Sequence, residues 1–385
     1  MLELHRRTFF KSAALMTVPL LVGGRILGQA QTERPALIAR QRNPDNLEFP
    51  FNSLNSVTTP NELFYVRNHF AVPEINLNEY RLRVGGAVQN ELTLSMQDLR
   101  AMPSRTVTAT LECAGNSRAL VQVQPALRGV GWQLGAVSNA EWVGVPLAAV
   151  LERAGIRAAA VEVLMEGADR GRVDAEPGLG QIHFARSIPI AKARQQDVLL
   201  AYRMNGADLP AAHGSPLRAV VVDWYGMASV KWLQRITLLD RAFAGFFQTL
   251  DYTIFERQNG QPQLVPLTEM LVKALIAQPA AGQTIAANAQ VRIHGAAWTG
   301  ESEISRVEVS TDGGRTWAQA QLLHDRVAHA WRLWEYNLRA PAQAGRVTLM
   351  ARATDARQRQ QPLERDTDRR NYAVNHTLPL EVVIQ

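Results

Sequence analysis

The sequence predicts an α+β protein in two unlike parts: a mixed α/β domain over residues 31–265 and an all-β, immunoglobulin-like sandwich over 266–385. Three observations carry this. A chain of 385 residues, 46% apolar and only 20% charged, has enough apolar surface for two ordinary cores. From Tyr80 to Ile254 short helical and strand patterns mix irregularly, with no βαβ repetition and no Gly-rich dinucleotide fingerprint, so nucleotide chemistry loses weight. Beyond about residue 270 the pattern becomes short alternating strands separated by turn signals.

The chain opens on an address. His5-Arg-Arg-Thr-Phe-Phe-Lys11, an apolar run from Ala13 to Leu27, and the small residues before Gln31 read as a twin-arginine export signal cleaved after Ala30, which predicts a periplasmic protein. Pro19, Gly23, Gly24 and Arg25 interrupt the run, so no stable membrane anchor is expected. Cleavage would remove Arg6, Arg7, Lys11, Arg25 and Glu3, lowering the formal charge from +6 to about +3. That mild excess, with no dense basic block interleaved with aromatics, argues against nucleic acid and for a local site that takes a small anion.

Residues 31–60, polar and rich in Pro and Asn, read as an irregular arm over the surface. Leu63–His69 is an apolar extended run whose Arg67 and His69, two apart, share a face. Tyr80–Gly86 alternates as a half-buried strand ended by two glycines. Ser95–Ala101 is a short helix with a Ser cap and an acid three residues on. Arg105–Leu111 is β-patterned and delivers Cys113 into Ala114-Gly-Asn116. After a loop to Gly135, in which glycines flank Trp132, Pro146–Ala154 is a helix closed by Gly155, and Val161–Glu166 a strand.

Gln181–Pro189 sets polar groups in an apolar frame, and Asp197–Tyr202 is a buried strand. Ala212–Asp223 repeats the turn-into-strand pattern, carrying His213 and Arg218, and Val230–Ile236 puts Lys231 beside Trp232. Tyr252 follows Asp251 near the end of the domain, and 258–266 reads as a Pro/Gln-rich connector. Val291–Trp298, Ile304–Ser310, Trp331–Leu338, Arg346–Thr354 and Leu378–Ile384 are the sandwich strands, with a hairpin turn at Asp312. A sandwich rich in tryptophan (Trp298, Trp317, Trp331, Trp334) suits packing or dimerisation better than catalysis.

Cys113 is the only cysteine, which excludes an intramolecular disulfide. A lone thiol is usually inert and buried; it becomes a ligand or nucleophile where a metal or cations keep it deprotonated.

Taken together and in order, Tyr-Val-Arg-Asn-His, Cys-Ala-Gly-Asn-Ser-Arg, His-Gly-Ser-Pro-Leu-Arg, Val-Lys-Trp-Leu, Asp-Tyr and the Trp-Arg-Leu-Trp block resemble the sulfite oxidase family of molybdenum enzymes over nearly the whole chain after residue 30. The resemblance implies a molybdopterin cofactor with Cys113 as the protein's thiolate ligand to molybdenum. It implies that His69, His213, Arg218 and Lys231, joined by His183, Arg186 and Ser187, hold the pterin and its phosphate. It further implies a sulfite pocket of Arg67, Arg118 and Tyr252, lined by Trp132, with Arg370 or its neighbour Arg369 contributed by the C-terminal domain. The reaction implied is oxidation of sulfite to sulfate by oxygen-atom transfer.

No Cys-x-x-Cys-His haem motif occurs, so no haem is expected in this chain and an external c-type cytochrome is the expected electron acceptor. A homodimer through the C-terminal domain is expected. Two alternatives share the pattern: a sulfane dehydrogenase acting on protein-bound sulfur and, less well matched because it resembles the first domain alone, a methionine sulfoxide reductase. A non-catalytic exported binding protein is the rival from a different class.

Overall fold

A strand buried on both faces at its far end carries Cys113. Arg105–Glu112 runs antiparallel to Val137–Pro146, pairing from Arg105 opposite Gly144 to Glu112 opposite Val137. The computed structural model describes residues 35–123, 126–173 and 180–385; the expected export segment, 1–30, lies outside the described residues. Val137–Pro146 pairs in turn with Leu199–Met204, and both Ala207–Asp208 and Arg218–Val220 add to that strand. Phe64, Trp132, Trp142, Val220 and the Cys113 thiol pack together in the core of this sheet.

A second five-stranded sheet runs Leu92–Leu94, Leu82–Gly86, Leu233–Leu239, Glu162–Arg172, Gln181–Pro189. Only the pairing of Leu82–Gly86 with Leu233–Leu239 is parallel. The predicted helices form at Met96–Ala101, where Ser95 and Asp98 make a complete capping box, and at Leu147–Ala154, whose N-cap is Pro146. Helix is sparse, and the first part is α+β as expected.

The C-terminal part is a sandwich of a four-stranded sheet (Lys273–Gln278, Gln290–Trp298, Arg332–Arg339, Gln321–Leu322) and a five-stranded one (Thr284–Ile285, Leu380–Ile384, Gly345–Asp355, Ile304–Ser310, Ala318–Gln319). Its private core holds Ile293, Val307, Trp334 and Val382. Trp298 and Trp331 instead belong to the core of the first part, with Trp331 Nε1 donating to Val57 O (2.7 Å). Two of the tryptophans therefore seal the seam within the chain.

Two expectations fail. The arm is no surface strap: Ile38–Gln41 and Asn46–Glu48 pair, and Asn46 and Glu48 are buried. Their polarity is satisfied internally, Glu48 accepting from Gly135 N (2.7 Å) and Gln133 N (3.1 Å), Asn46 Oδ1 from Asn68 N (2.9 Å). The connector is a hairpin, Thr253–Gln258 against Gln261–Pro266, turned by Asn259 and Gly260 at φ 51° and 79°. Asn-Gly with both φ positive is the preferred two-residue hairpin turn.

Candidate active site

The cysteine strand, the Leu63–His69 segment, the Ala211–His213 turn and the residues leading into the Leu233–Leu239 strand converge on one cavity. Of the residues singled out from the sequence, Arg67, His69, Cys113, His213, Arg218, Lys231 and Tyr252 line it. Chain positions far apart thus meet in one place.

The cavity is rich in cations and has, among the described residues, one carboxylate, Asp169, on its wall. Arg67, Arg218 and Lys231 make no salt bridge among the described residues. Arg218 is fixed by carbonyls, Nη1 donating to His213 O (2.9 Å) and Nη2 to Ser229 O (3.1 Å), with its guanidinium 4.9 Å from the Trp142 ring centroid. Lys231 Nζ donates to Ala212 O (2.9 Å) and to Asn68 Oδ1. Arg67 Nη1 donates to Asn46 Oδ1 (3.3 Å) and to Asn68 O. Burial with Arg218 and Arg67 nearby holds the Lys231 ammonium well below its usual range, against the pull of Asp169. Burial with Lys231 and Arg218 pushes His213 down to about 3. His69 is also held well below its usual range, by burial and then by Arg67 and Lys231, so both imidazoles are neutral.

His69 is clamped between rings, stacked on Phe184 at 4.5 Å and edge-on to Phe247 at 4.7 Å, and Nε2 shares a hydrogen bond with the Tyr252 hydroxyl (2.7 Å). Burial raises the Cys113 thiol, while Arg67 and Arg118 pull it down. The remaining cavity acid, Asp169, is pushed up to about 6 by burial, with Lys231 acting the other way.

The other candidates lie off the cavity wall. Arg118 is buried beside it: Nε donates to Asn371 O (2.9 Å) and Nη1 to Val130 O (3.1 Å), and its charge is felt by Cys113 and Tyr252. The guanidinium passes between two glycines; a Cβ at Gly115 or Gly129 would stand 2.5 or 2.3 Å from it. Trp132 does not line the cavity; it is fully buried in the core behind Cys113, because the Gly-flanked loop folds inward and Ala119 N bonds its carbonyl (2.9 Å). Arg186 is spent on carbonyls, Nη2 donating to Leu267 O (3.0 Å) and Nη1 to Phe247 O, below the Tyr252 ring at 6.0 Å. Ser187 is buried beside Gln248, and His183 Nδ1 faces Asp169 O (3.2 Å) and Gln234 Nε2 (3.3 Å).

Arg370 does not reach the cavity: Nη1 bonds Thr253 and the Leu250 carbonyl (3.4 Å), tying the exposed hairpin to the C-terminal segment. Arg369 pairs with Asp366 (3.1 Å). Sequence reasoning passed over Asn68, Asp169 and Tyr65, which line the cavity, and Tyr372, which packs on Tyr252 at 5.0 Å. The signal for Asp169 was its setting between Gly167 and Gly171, where the pairing of the two strands shifts register.

The donor set fits a phosphate-bearing, sulfur-seeking group. An anion would offset the burial and the neighbouring cations that together depress Lys231 and His213, Asn68 Nδ2 is a buried donor with no partner among the described residues, and the thiol supplies a soft ligand. What the cavity can do chemically is bind an anionic cofactor through cations and a thiolate and admit an oxyanion near it.

Comparison with known proteins agrees in outline. The oxidoreductase molybdopterin binding domain matches residues 69–247 and the Mo-co oxidoreductase dimerisation domain residues 265–375. The chain is 38% identical over 344 residues to mitochondrial sulfite oxidase of Rattus norvegicus, covering 85% of this chain and 62% of that protein. It is 37% identical to sulfite oxidase of Gallus gallus (85% of this chain, 73% of that one) and 35% identical to sulfite oxidase of Arabidopsis thaliana (79% and 80%). The chain therefore spans about three-fifths of its mammalian relatives and more of the other two. Among solved structures, the sulfane dehydrogenase SoxCD from Paracoccus pantotrophus is similar with a TM-score of 0.76 and 26% identity, covering 94% of this chain and 93% of that one.

Proposed function

Because the chain belongs to the sulfite oxidase family of molybdopterin oxidoreductases, we propose that it oxidises sulfite to sulfate and passes the electrons to an external acceptor, a c-type cytochrome. The observation that carries the reading is the cavity in which Cys113 meets Arg67, Arg218 and Lys231, cations that make no salt bridge among the described residues. A bound molybdopterin supplies the oxygen-atom transfer and takes up the electrons.

The protein does the rest. Cys113 ligates the metal; Lys231, Arg218, His213 and His69 hold the pterin and its phosphate by charge-assisted and neutral hydrogen bonds. Arg67 and Arg118 orient sulfite, since guanidinium stays charged at any physiological pH and presents donors in a fixed fork. Tyr252, protonated and hydrogen-bonded to His69, donates or accepts at the substrate oxygen without adding charge. Twin-arginine export to the periplasm and a homodimer formed through the C-terminal domain complete the proposal, supported by Arg6-Arg7 and by the dimerisation-domain match.

A second reading, oxidation of sulfane sulfur carried on a partner protein, is favoured by the near-complete likeness to SoxCD and by Arg370 lying away from the cavity. One experiment separates them: purify the full chain, quantify molybdenum and pterin, and follow ferricyanide or cytochrome c reduction on adding sulfite. Stoichiometric molybdenum with sulfite-dependent reduction is expected. Molybdenum without sulfite turnover would move the assignment to sulfane sulfur, and a folded, metal-free protein would return Cys113 to an inert thiol.

A further inference from the structure

The segment Asn371–Ala373, contributed by the C-terminal part, touches the cysteine loop and two candidate substrate residues without lining the cavity. Ala373 N donates to Ala114 O (2.7 Å), the carbonyl next to Cys113. Asn371 O accepts from Arg118 Nε (2.9 Å), and Asn371 Oδ1 from Arg128 N (3.0 Å). The buried Tyr372 ring contacts both neighbours, 5.2 Å from the Arg118 guanidinium and 5.0 Å from the Tyr252 ring, while its hydroxyl donates to Asp251 Oδ1 (2.5 Å).

Resting on the sulfite reading above, we propose that Tyr372 is a positioning residue that sets the affinity of the cavity for its oxyanion by bracing both Arg118 and Tyr252. The choice of an aromatic ring has a chemical reason. A carboxylate in that place would fix the guanidinium equally well but neutralise it. A ring face holds the cation in place and leaves its charge for the substrate. Two of the Arg118 nitrogens are taken by carbonyls of Asn371 and Val130, and Nη2 has no hydrogen-bond partner among the described residues. The flanking glycines leave the guanidinium no side chain to lean on at 115 or 129, so the ring is its lateral support.

The test uses molybdenum-loaded full-length protein and two readouts, steady-state turnover of sulfite and calorimetric binding of sulfate as an unreactive oxyanion. Tyr372→Leu is expected to raise KM for sulfite and the sulfate Kd together by about tenfold with kcat within about twofold, as for loss of uniform binding. Tyr372→Phe, which keeps the ring, should restore both to within about twofold of the parent. Tyr372→Met, longer and better able to fill an irregular gap, replaces the Leu variant if that fails to fold. A lowered melting temperature with unchanged KM and sulfate Kd would reduce Tyr372 to packing and overturn the proposal. Equal losses in the Leu and Phe variants would overturn it too, assigning the effect to the Asp251 contact. Absence of sulfite turnover in the loaded parent would sink the functional reading instead, while sulfate binding would still decide the role of Tyr372.

Discussion

Two groups of buried cations lie on either side of Cys113, and they are built on opposite plans. On the cavity side Arg67, Arg218 and Lys231 are held by carbonyls and amides and make no salt bridge among the described residues, with Asp169 the one carboxylate on the wall. On the seam side Lys273, 1% exposed at its side chain, pairs with Glu112 Oε1 (2.9 Å) and donates to Ser117 Oγ (3.0 Å). The same carboxylate accepts from Trp298 Nε1 (2.9 Å) and Asn116 Nδ2 (3.1 Å), so its charge is fully engaged. A paired, saturated charge is complete in the folded chain and serves architecture. Buried cations that outnumber the one carboxylate on their cavity wall, Asp169, are incomplete, and that incompleteness is what a bound anion corrects.

The contrast makes the two sides respond differently to the loss of a lysine. Lys273→Met strands Glu112 in the seam and is expected to cost about 3–5 kcal/mol in urea unfolding, most of it recovered in the double variant with Glu112→Gln. A loss no greater than that of a surface substitution would remove the seam from the comparison. Lys231→Met deletes a cation the apo cavity pays to keep, so the metal-free protein should hold or gain about 1 kcal/mol while pterin content after expression falls about tenfold. A destabilised apo protein with normal pterin would invert the assignment.

A third site sharpens the contrast by depending on pH. His329 lies between Asp223 Oδ1 (2.9 Å from Nδ1) and Asp197 Oδ2 (3.2 Å from Nε2), and Asp197 also pairs with Arg105 (2.6 Å). Burial lowers the imidazole, but the two carboxylates outweigh it and the net direction is up. A raised histidine stabilises the fold fully below its unfolded value near 6.5 and loses that contribution as pH rises through the folded one. Unfolding free energy between pH 6 and pH 9 should therefore fall by on the order of 1 kcal/mol more in the parent than in His329→Gln. Parallel pH profiles would show that the tie contributes nothing. The smallest effect belongs to a control remote from both cation groups: Gly260→Ala meets no atom within 4 Å and should cost about 1 kcal/mol or less through its positive φ alone, with metal content unchanged.

How far the sequence could be read follows the same physics. The sandwich strands were legible because one face of each is buried and the other wet, as in Ile304–Ser310 and Leu380–Ile384. The hairpin at 253–266 was not, because most of its residues are exposed and no alternation marks it; its one signal, Asn259-Gly260, was passed over in the reading of 258–266 as a connector. Within the arm read at 31–60, the stretch 38–48 was misread because Asn46 and Glu48 look solvated in a string of letters, yet their partners, Asn68 and Gly135, come from distant segments. In the site, motif order found the residues of the cavity wall but could not say where a buried polar chain points. Arg186 and Ser187 sit in the same apolar frame that would suit a ligand, and Arg186 turned out to face carbonyls of Phe247 and Leu267. Tyr372 carries no motif at all; its role depends on a fold that brings residue 372 against residue 252.

The seam also bears on when the site comes into being. Glu112 meets Lys273 across 161 positions and Trp298 across 186, and Arg118 meets Asn371 across 253. A chain growing from its N-terminus therefore makes the cysteine strand early but cannot neutralise Glu112 until Lys273 has been synthesised, or steady Arg118 until Asn371 has. Long-range closure of this kind makes the C-terminal sandwich a checkpoint on assembly: a chain that stops before residue 273 presents the thiol beside an unpaired Glu112, and one that stops before residue 371 presents it beside an unsteadied Arg118.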